Sequence, residues 1–295
     1  MKTYKFRYWI LAARPKTLPA SLTPVIVGCT LAYFYHSFKL IPAVICFVFA
    51  LLAQIISNYL NDYFDFRKGA DRADRLGPER AVAKGWIKPE EMLRMAVVFG
   101  ILSLIIGLAL IYYAGWKLIF VGIAVGLGAY AYSSGPYPLA YHGLGDVCVV
   151  VFYGIVPVGF TCYVQTLEWN TAVTVSGLAL GLVSTNILVA NNYRDREQDK
   201  ISDKNTSVVI FGEIFGRWFY LCNGLAVIAL CFVFISLDMM WAAFLPCLYL
   251  LPHILAWREM CRIRQGKELN GILAMSAGNT VIFGLLLSAG ILLCA

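Results

Sequence analysis

Charge is what this chain of 295 residues has least of: only 14% are Asp, Glu, Lys or Arg, against about a quarter in soluble domains. With 60% hydrophobic residues and a mean hydropathy of +0.72, a water-soluble globular enzyme is excluded. Ligand spacing is missing as well. The nine cysteines are scattered through apolar runs with no C-x-x-C, and His36, His142 and His253 stand alone, so the thiols read as small hydrophobes and no zinc or redox motif is present. Alternating polar and apolar positions are lacking too, which excludes an outer-membrane β-barrel in favour of helices. The first fourteen residues hold charges and aromatics without a short apolar stretch ending in small residues, so no removable signal peptide is expected.

What is present is a series of long apolar runs. At about 20 residues per 30 Å hydrocarbon layer there is room for roughly nine or ten crossings. The runs fall near 18–36, 41–63, 93–114, 117–133, 144–165, 171–193, 216–236, 239–256 and 270–294. The expectation is an all-α integral membrane protein, nine transmembrane helices in one bundle, forming a single domain over 1–295. With this parse, 22 of the 24 Lys and Arg residues fall on one face, leaving Lys39 and Lys117 opposite. Basic residues in short loops stay in the cytoplasm, so the N-terminus and the loops 64–92 and 194–215 are expected there, in a bacterial inner membrane. The net charge of +7 follows from this bias and implies no nucleic acid partner.

The acids share the asymmetry and gather in two clusters. The first is Asn58, Asn61, Asp62 and Asp65, followed by Asp71 and Asp74; the second is Asn191, Asp195 and Asp199, followed by Asp203. Helical spacing puts Asn61 with Asp65, and Asn191 with Asp195 and Asp199, on common faces. Like carboxylates repel at this spacing unless a cation is shared. Mg²⁺ suits them, since it takes one or two carboxylates together with waters and substrate phosphate oxygens. Basic residues interleaved with the acids, among them Arg75, Arg80, Lys84, Arg194 and Lys204, offer donors to a diphosphate. Ordinary solvated loop charge is the alternative for either cluster taken singly.

Asn61-Asp62-Tyr63-Phe64-Asp65 and Asp195-Arg196-Glu197-Gln198-Asp199 resemble the two acidic motifs of the UbiA superfamily of intramembrane prenyltransferases, and the resemblance extends over the whole chain. Within the superfamily, Arg14-Pro15-Lys16-Thr17, Lys68-Gly69-Ala70-Asp71, Gly135-Pro136-Tyr137-Pro138 and Asn191-Asn192-Tyr193-Arg194-Asp195 are similar to the branch that prenylates 1,4-dihydroxy-2-naphthoate in menaquinone synthesis. Two departures from the wider pattern, Gly69 in place of a further Asp and Ser133-Ser134 in place of a basic pair, point to the same branch. The resemblance implies a Mg²⁺-dependent transfer of a polyprenyl group from its diphosphate, with loss of CO₂ and pyrophosphate.

It further implies Asn58, Asn61, Asp62, Asp65, Asp71, Asn191, Asp195 and Asp199 as metal ligands, with Asp65 and Asp195 central. Arg75, Arg80, Lys84, Arg194 and Lys204 would bind the diphosphate. Tyr132, ahead of Tyr130, Phe152 and Tyr153, would present its ring to an allylic cation. Arg14 and Lys16 would either pair with the acceptor's carboxylate or serve as interfacial anchors. Asp146 would act as a base or, with more weight, cap a helix N-terminus. Membrane lipid is the surrounding partner. A transporter is the rival reading, but it calls for charge near span centres, where this chain has almost none; a UbiA-type enzyme with another aromatic acceptor is a second.

Overall fold

The computed structural model describes residues 6–69, 76–133 and 135–295, apart from the side chains of Lys16 and Ser133. The described residues are helical with no strand. In order they form α1 (Phe6–Ala13), α2 (Leu18–Phe34), α3 (Leu40–Arg67), α4 (Pro89–Ala109), α5 (Ile111–Ala114), α6 (Leu118–Ser133), α7 (Gly145–Val150), α8 (Val156–Thr166), α9 (Thr171–Ile201), α10 (Ser207–Cys231), α11 (Met240–Phe244), α12 (Leu250–Ile263) and α13 (Asn270–Leu292). Seven helical stretches are long and apolar enough to cross a membrane, so the protein is an integral membrane protein. These are α3, α4 with α5, α7 with α8, α9, α10 with the 3₁₀ turn after it, α11 with α12, and α13 with the turn before it. α2 meets the same test only jointly with α1, across a 57° bend, and α6 is a shorter apolar helix.

The helices begin and break for local reasons. Asn170 caps α9 by accepting from the Val173 N–H at 3.1 Å, and Thr206 caps α10 by accepting from Val209 at 3.3 Å. Pro246 sits in the 3₁₀ turn Leu245–Tyr249 that separates α11 from α12. Between α7 and α8 the chain makes a π-helical turn, Val151–Ile155. It lies where Gly154 meets Gly177 and Gly181 of α9: a Cβ on Gly154 would come within 2.3 Å of the Gly177 carbonyl oxygen. Small residues let the two backbones touch, the usual means of helix association in lipid.

α9 is the hub, packed on α2, α7, α8, α10 and α13. Its apolar stretch is 72% buried, against 11% for α4, whose Val97, Ile101, Leu104 and Leu108 face outward. Two boundaries depart from the sequence expectation. The segment 194–215 is not a loop: α9 runs helical through Ile201 and α10 starts at Ser207, leaving a turn of five residues. No Gly or Pro lies between Tyr193 and Ile201, so nothing in the chain ends the helix where the apolar run ends. Likewise α3 runs helical to Arg67 and α4 begins at Pro89, so both ends of 64–92 are helical.

Candidate active site

On α3, Gln54, Asn58, Asn61, Asp65 and Lys68 share one face, and on α9 Thr185, Asn192, Asp195 and Asp199 share another. The two faces meet. Asp199 lies within Coulombic range of both Asp195 and Asp65, and Asp65 within range of Lys68 and of Tyr132. Tyr132 in turn has Asp146, Cys148 and Tyr153 as neighbours. The two acid clusters, 130 positions apart from Asp65 to Asp195, thus form one site, floored by aromatic side chains of α6 and of the π-helical turn.

Each of the three carboxylates is matched by a cation. Arg80 reaches back from the α3–α4 connection to Asp65. Arg194 holds Asp195 through Nε at 2.7 Å, and Lys204 donates to Asp199 at 3.3 Å. The second oxygen of Asp199 is buried and makes no hydrogen bond, and the side-chain oxygen of Asn192, two turns earlier on the same helix, is in the same condition. Buried acceptors left open are costly, and they are where a cation or a donor from a ligand is expected. Among the described residues no three His, Cys, Asp or Glu side chains are grouped tightly enough to hold a metal unaided. The donor set still fits Mg²⁺ of the kind that completes its sphere with water and phosphate oxygens.

Several expected ligands have other partners. Asp62 accepts from the backbone N–H groups of Ala81 at 3.0 Å and Val82 at 3.3 Å, so it anchors the connecting loop. Asn58 donates to the Ala13 carbonyl at 2.9 Å, and Asn191 accepts from Arg194 at 2.8 Å. Asn61 stays beside Asp65 and half-buried. Arg194 is buried with four of its five N–H donors engaged, Nη1 also donating to Asn270 at 2.7 Å, which makes it a brace within the protein before it is a donor to a diphosphate. Lys84 faces solvent and pairs with Glu79 at 2.9 Å. Asp71 and Arg75 lie outside the described residues, as does the side chain of Lys16. Arg14 sits at the α1–α2 bend in the left-handed region (φ 53°) and within Coulombic range of Tyr153. Asp146 is buried in the first turn of α7 beside Ser207.

Gln54 and Asn192 were not expected at the site, and Lys68 was expected only as one of the basic residues interleaved with the acids. Lys68 lies 4.3 Å from the centre of the Tyr141 ring, and burial holds its ammonium below the usual lysine range, Asp65 opposing that shift and Lys204 adding to it. Gln54 is buried inside an otherwise apolar stretch, a position where a polar residue marks a site, and Asn192 directly follows Asn191 of the second cluster. The 135–143 segment places Tyr141 against Lys68 and is tied down by the Asn205 N–H, which donates to the Tyr141 carbonyl at 3.1 Å.

Comparison with known proteins bears on the family and the fold. The chain is 34% identical over 302 residues to the 1,4-dihydroxy-2-naphthoate octaprenyltransferase of Haemophilus influenzae, covering 98% of this chain and 97% of that one. It is 38% identical over 242 residues to the Escherichia coli protein of the same name, covering 79% and 78%. In fold it is similar to a solved UbiA homolog from Archaeoglobus fulgidus bound to GPP and Mg²⁺, with a TM-score of 0.68 at 17% identity over 96% of this chain and 99% of that one. The model of the UbiA prenyltransferase family matches residues 21–275, and with the paired acid clusters at the ends of α3 and α9, the chain belongs to that family.

Proposed function

We propose that this protein transfers a polyprenyl group from an isoprenoid diphosphate to 1,4-dihydroxy-2-naphthoate, releasing pyrophosphate and CO₂ and giving the demethylmenaquinol precursor of menaquinone. The observation that carries the reading is the convergence of Asp65, Asp195 and Asp199, each with its own cation, beside an aromatic floor in a chain about a third identical to naphthoate prenyltransferases. Residues for the diphosphate and for the aromatic acid therefore stand at one polar end of an otherwise apolar bundle.

Asp65, Asp195 and Asp199, with Asn61 and Asn192 as neutral oxygens, would hold Mg²⁺. When bound, Mg²⁺ supplies positive charge that stabilises the departing diphosphate. Arg80, Lys204 and Lys68 are placed to donate to its non-bridging oxygens as the allylic C–O bond lengthens. Arg194 orients Asp195. The Tyr132 ring faces the developing cation, an interaction worth about 0.5–2 kcal/mol. Arg14 pairs with the acceptor's carboxylate. The 135–143 segment keeps out water, which would quench the cation. Asp146 caps α7.

The prenyl tail lies in lipid between helices. Counting α2 and α6 as crossings gives nine spans, and the distribution of Lys and Arg puts the N-terminus and the site on the cytoplasmic side of a bacterial inner membrane. The test is turnover by the purified protein in detergent with 1,4-dihydroxy-2-naphthoate and farnesyl or geranylgeranyl diphosphate, with Mg²⁺ or with EDTA. Mg²⁺-dependent formation of the decarboxylated prenyl product, identified by mass, is expected. Product only with 4-hydroxybenzoate or another ring would move the acceptor and keep the diphosphate site; no product with any ring would favour the transporter.

A further inference from the structure

Beneath the acid cluster a directed chain of hydrogen bonds leads from the end of α1 to the aromatic floor. α1 ends at Ala13, and its carbonyl, orphaned by the left-handed turn at Arg14, can only accept. Asn58 meets it with its amide nitrogen at 2.9 Å, which settles the orientation of that amide. The Asn58 oxygen then faces Gln54, whose Nε2 donates to it at 3.4 Å. Gln54 is left with its oxygen toward Tyr153, and the Tyr153 hydroxyl donates to it at 2.8 Å.

Every polarity in this chain follows from a backbone carbonyl. The result is a tyrosine that has given away its only proton, so its oxygen can only accept. Ser57 stands beside that hydroxyl, and two lone pairs leave room for another donor. Tyr153 is only half-buried, sits in the π-helical turn and has Arg14 within Coulombic range. π-turns recur at functional sites because they rotate side chains out of helical register. Here the turn coincides with the Gly154 contact with α9, and Tyr153 within it reaches Gln54 of α3.

We propose that Tyr153 accepts a hydrogen bond from a ring hydroxyl of the aromatic acid whose carboxylate pairs with Arg14, with Gln54 as the positioning residue that orients the Tyr153 proton away from the ligand. The proposal rests on the acceptor assignment above and deepens it. Tyr153 selects acids that carry a hydroxyl; Gln54 touches no substrate and acts through Tyr153.

The experiment is a fluorescence titration of the detergent-purified protein with 1-hydroxy-2-naphthoate and with 2-naphthoate, which differ by one hydroxyl, beside steady-state kinetics for both substrates. Wild type is expected to bind the hydroxylated acid about tenfold more tightly, the equivalent of one hydrogen bond. Tyr153→Phe, which keeps the ring, should bind both acids alike and raise KM for 1,4-dihydroxy-2-naphthoate about tenfold, with KM for the prenyl diphosphate within about twofold. Gln54→Leu should shrink the preference and leave the diphosphate KM unchanged. A preference that survives in Tyr153→Phe, or one absent from a wild-type protein that turns over the naphthoate, overturns the inference while sparing the acceptor assignment. A wild-type protein that prenylates only another ring overturns the assignment; loss of that ring's hydroxyl preference in Tyr153→Phe would still support the hydrogen bond.

Discussion

On α3 the helix ends two residues after Asp65 and the chain folds back over itself, whereas α9 continues six residues past Asp195 to Ile201. The two acid clusters use this difference to find their counter-ions. Asp65 receives Arg80 from fifteen positions away, and that loop is held in register because Asp62 takes the N–H groups of Ala81 and Val82. Asp195 has its arginine next to it, and Arg194 is fixed by Asn191 one turn back and by Asn270 of α13. A regular helix can supply both the acid and the group that orients it. A helix that stops must import the cation, and its spare acid becomes the tether.

The comparison breaks most visibly at the acids themselves. Asp65→Ala or Asp195→Ala is expected to lower turnover by about three orders of magnitude or more, as loss of a preorganised charge does, in protein that still elutes as a folded species on size exclusion. Equal losses would mark the two sides as equivalent in the reaction; activity retained in both would dissolve the metal-clamp reading. Arg194→Met should act on stability, costing about 3–5 kcal/mol because Asp195 would be left partly buried without its partner, read as a lowered thermal midpoint in detergent. Asp62→Ala should cost about 1–3 kcal/mol by leaving two buried N–H groups unpaired, and should expose the 76–88 segment to limited proteolysis before any other part of the chain. Lys84→Ala, whose ion pair with Glu79 is solvent-exposed, should leave activity within about twofold.

The smallest effect is one of pH. Lys68 is held below the usual lysine range by burial, with Lys204 adding and Asp65 opposing, so its charge is lost earlier on the alkaline side than that of an ordinary lysine. Its folded value lies below its unfolded one, so the unfolded chain binds more protons there and this contribution to stability rises with pH through that window. Activity should move the other way, with an alkaline decline that Lys68→Arg shifts upward, as a pH–rate profile would record.

Much of this was legible in the residues. Continuous apolar runs located the helices, and the Asn–Asp spacing located both clusters, because both patterns are local and periodic. Roles within the clusters were not legible. Asp62 and Asp65 look alike in sequence, but only the return path of the 76–88 segment decides that one meets backbone N–H groups and the other meets Arg80. Arg194 and Lys204 look like equal diphosphate donors, and they differ because Asn270 approaches one of them from 76 residues away. The end of α9 was misplaced because hydropathy marks where lipid stops, whereas a helix ends where the backbone finds a reason to stop.

Asn270 carries a consequence for the order of assembly. Its side chain accepts from Arg194 and donates to the Leu76 carbonyl at 2.9 Å, so one residue at the head of α13 joins the α3–α4 connection to the second cluster. A ribosome releases the chain in sequence, and Asn270 emerges after every acid of both clusters. Until it arrives, Asp62 and Asn191 hold the two halves separately and nothing in this chain of contacts ties one to the other. The two halves of the site are thus joined only when nearly the whole chain is in the membrane.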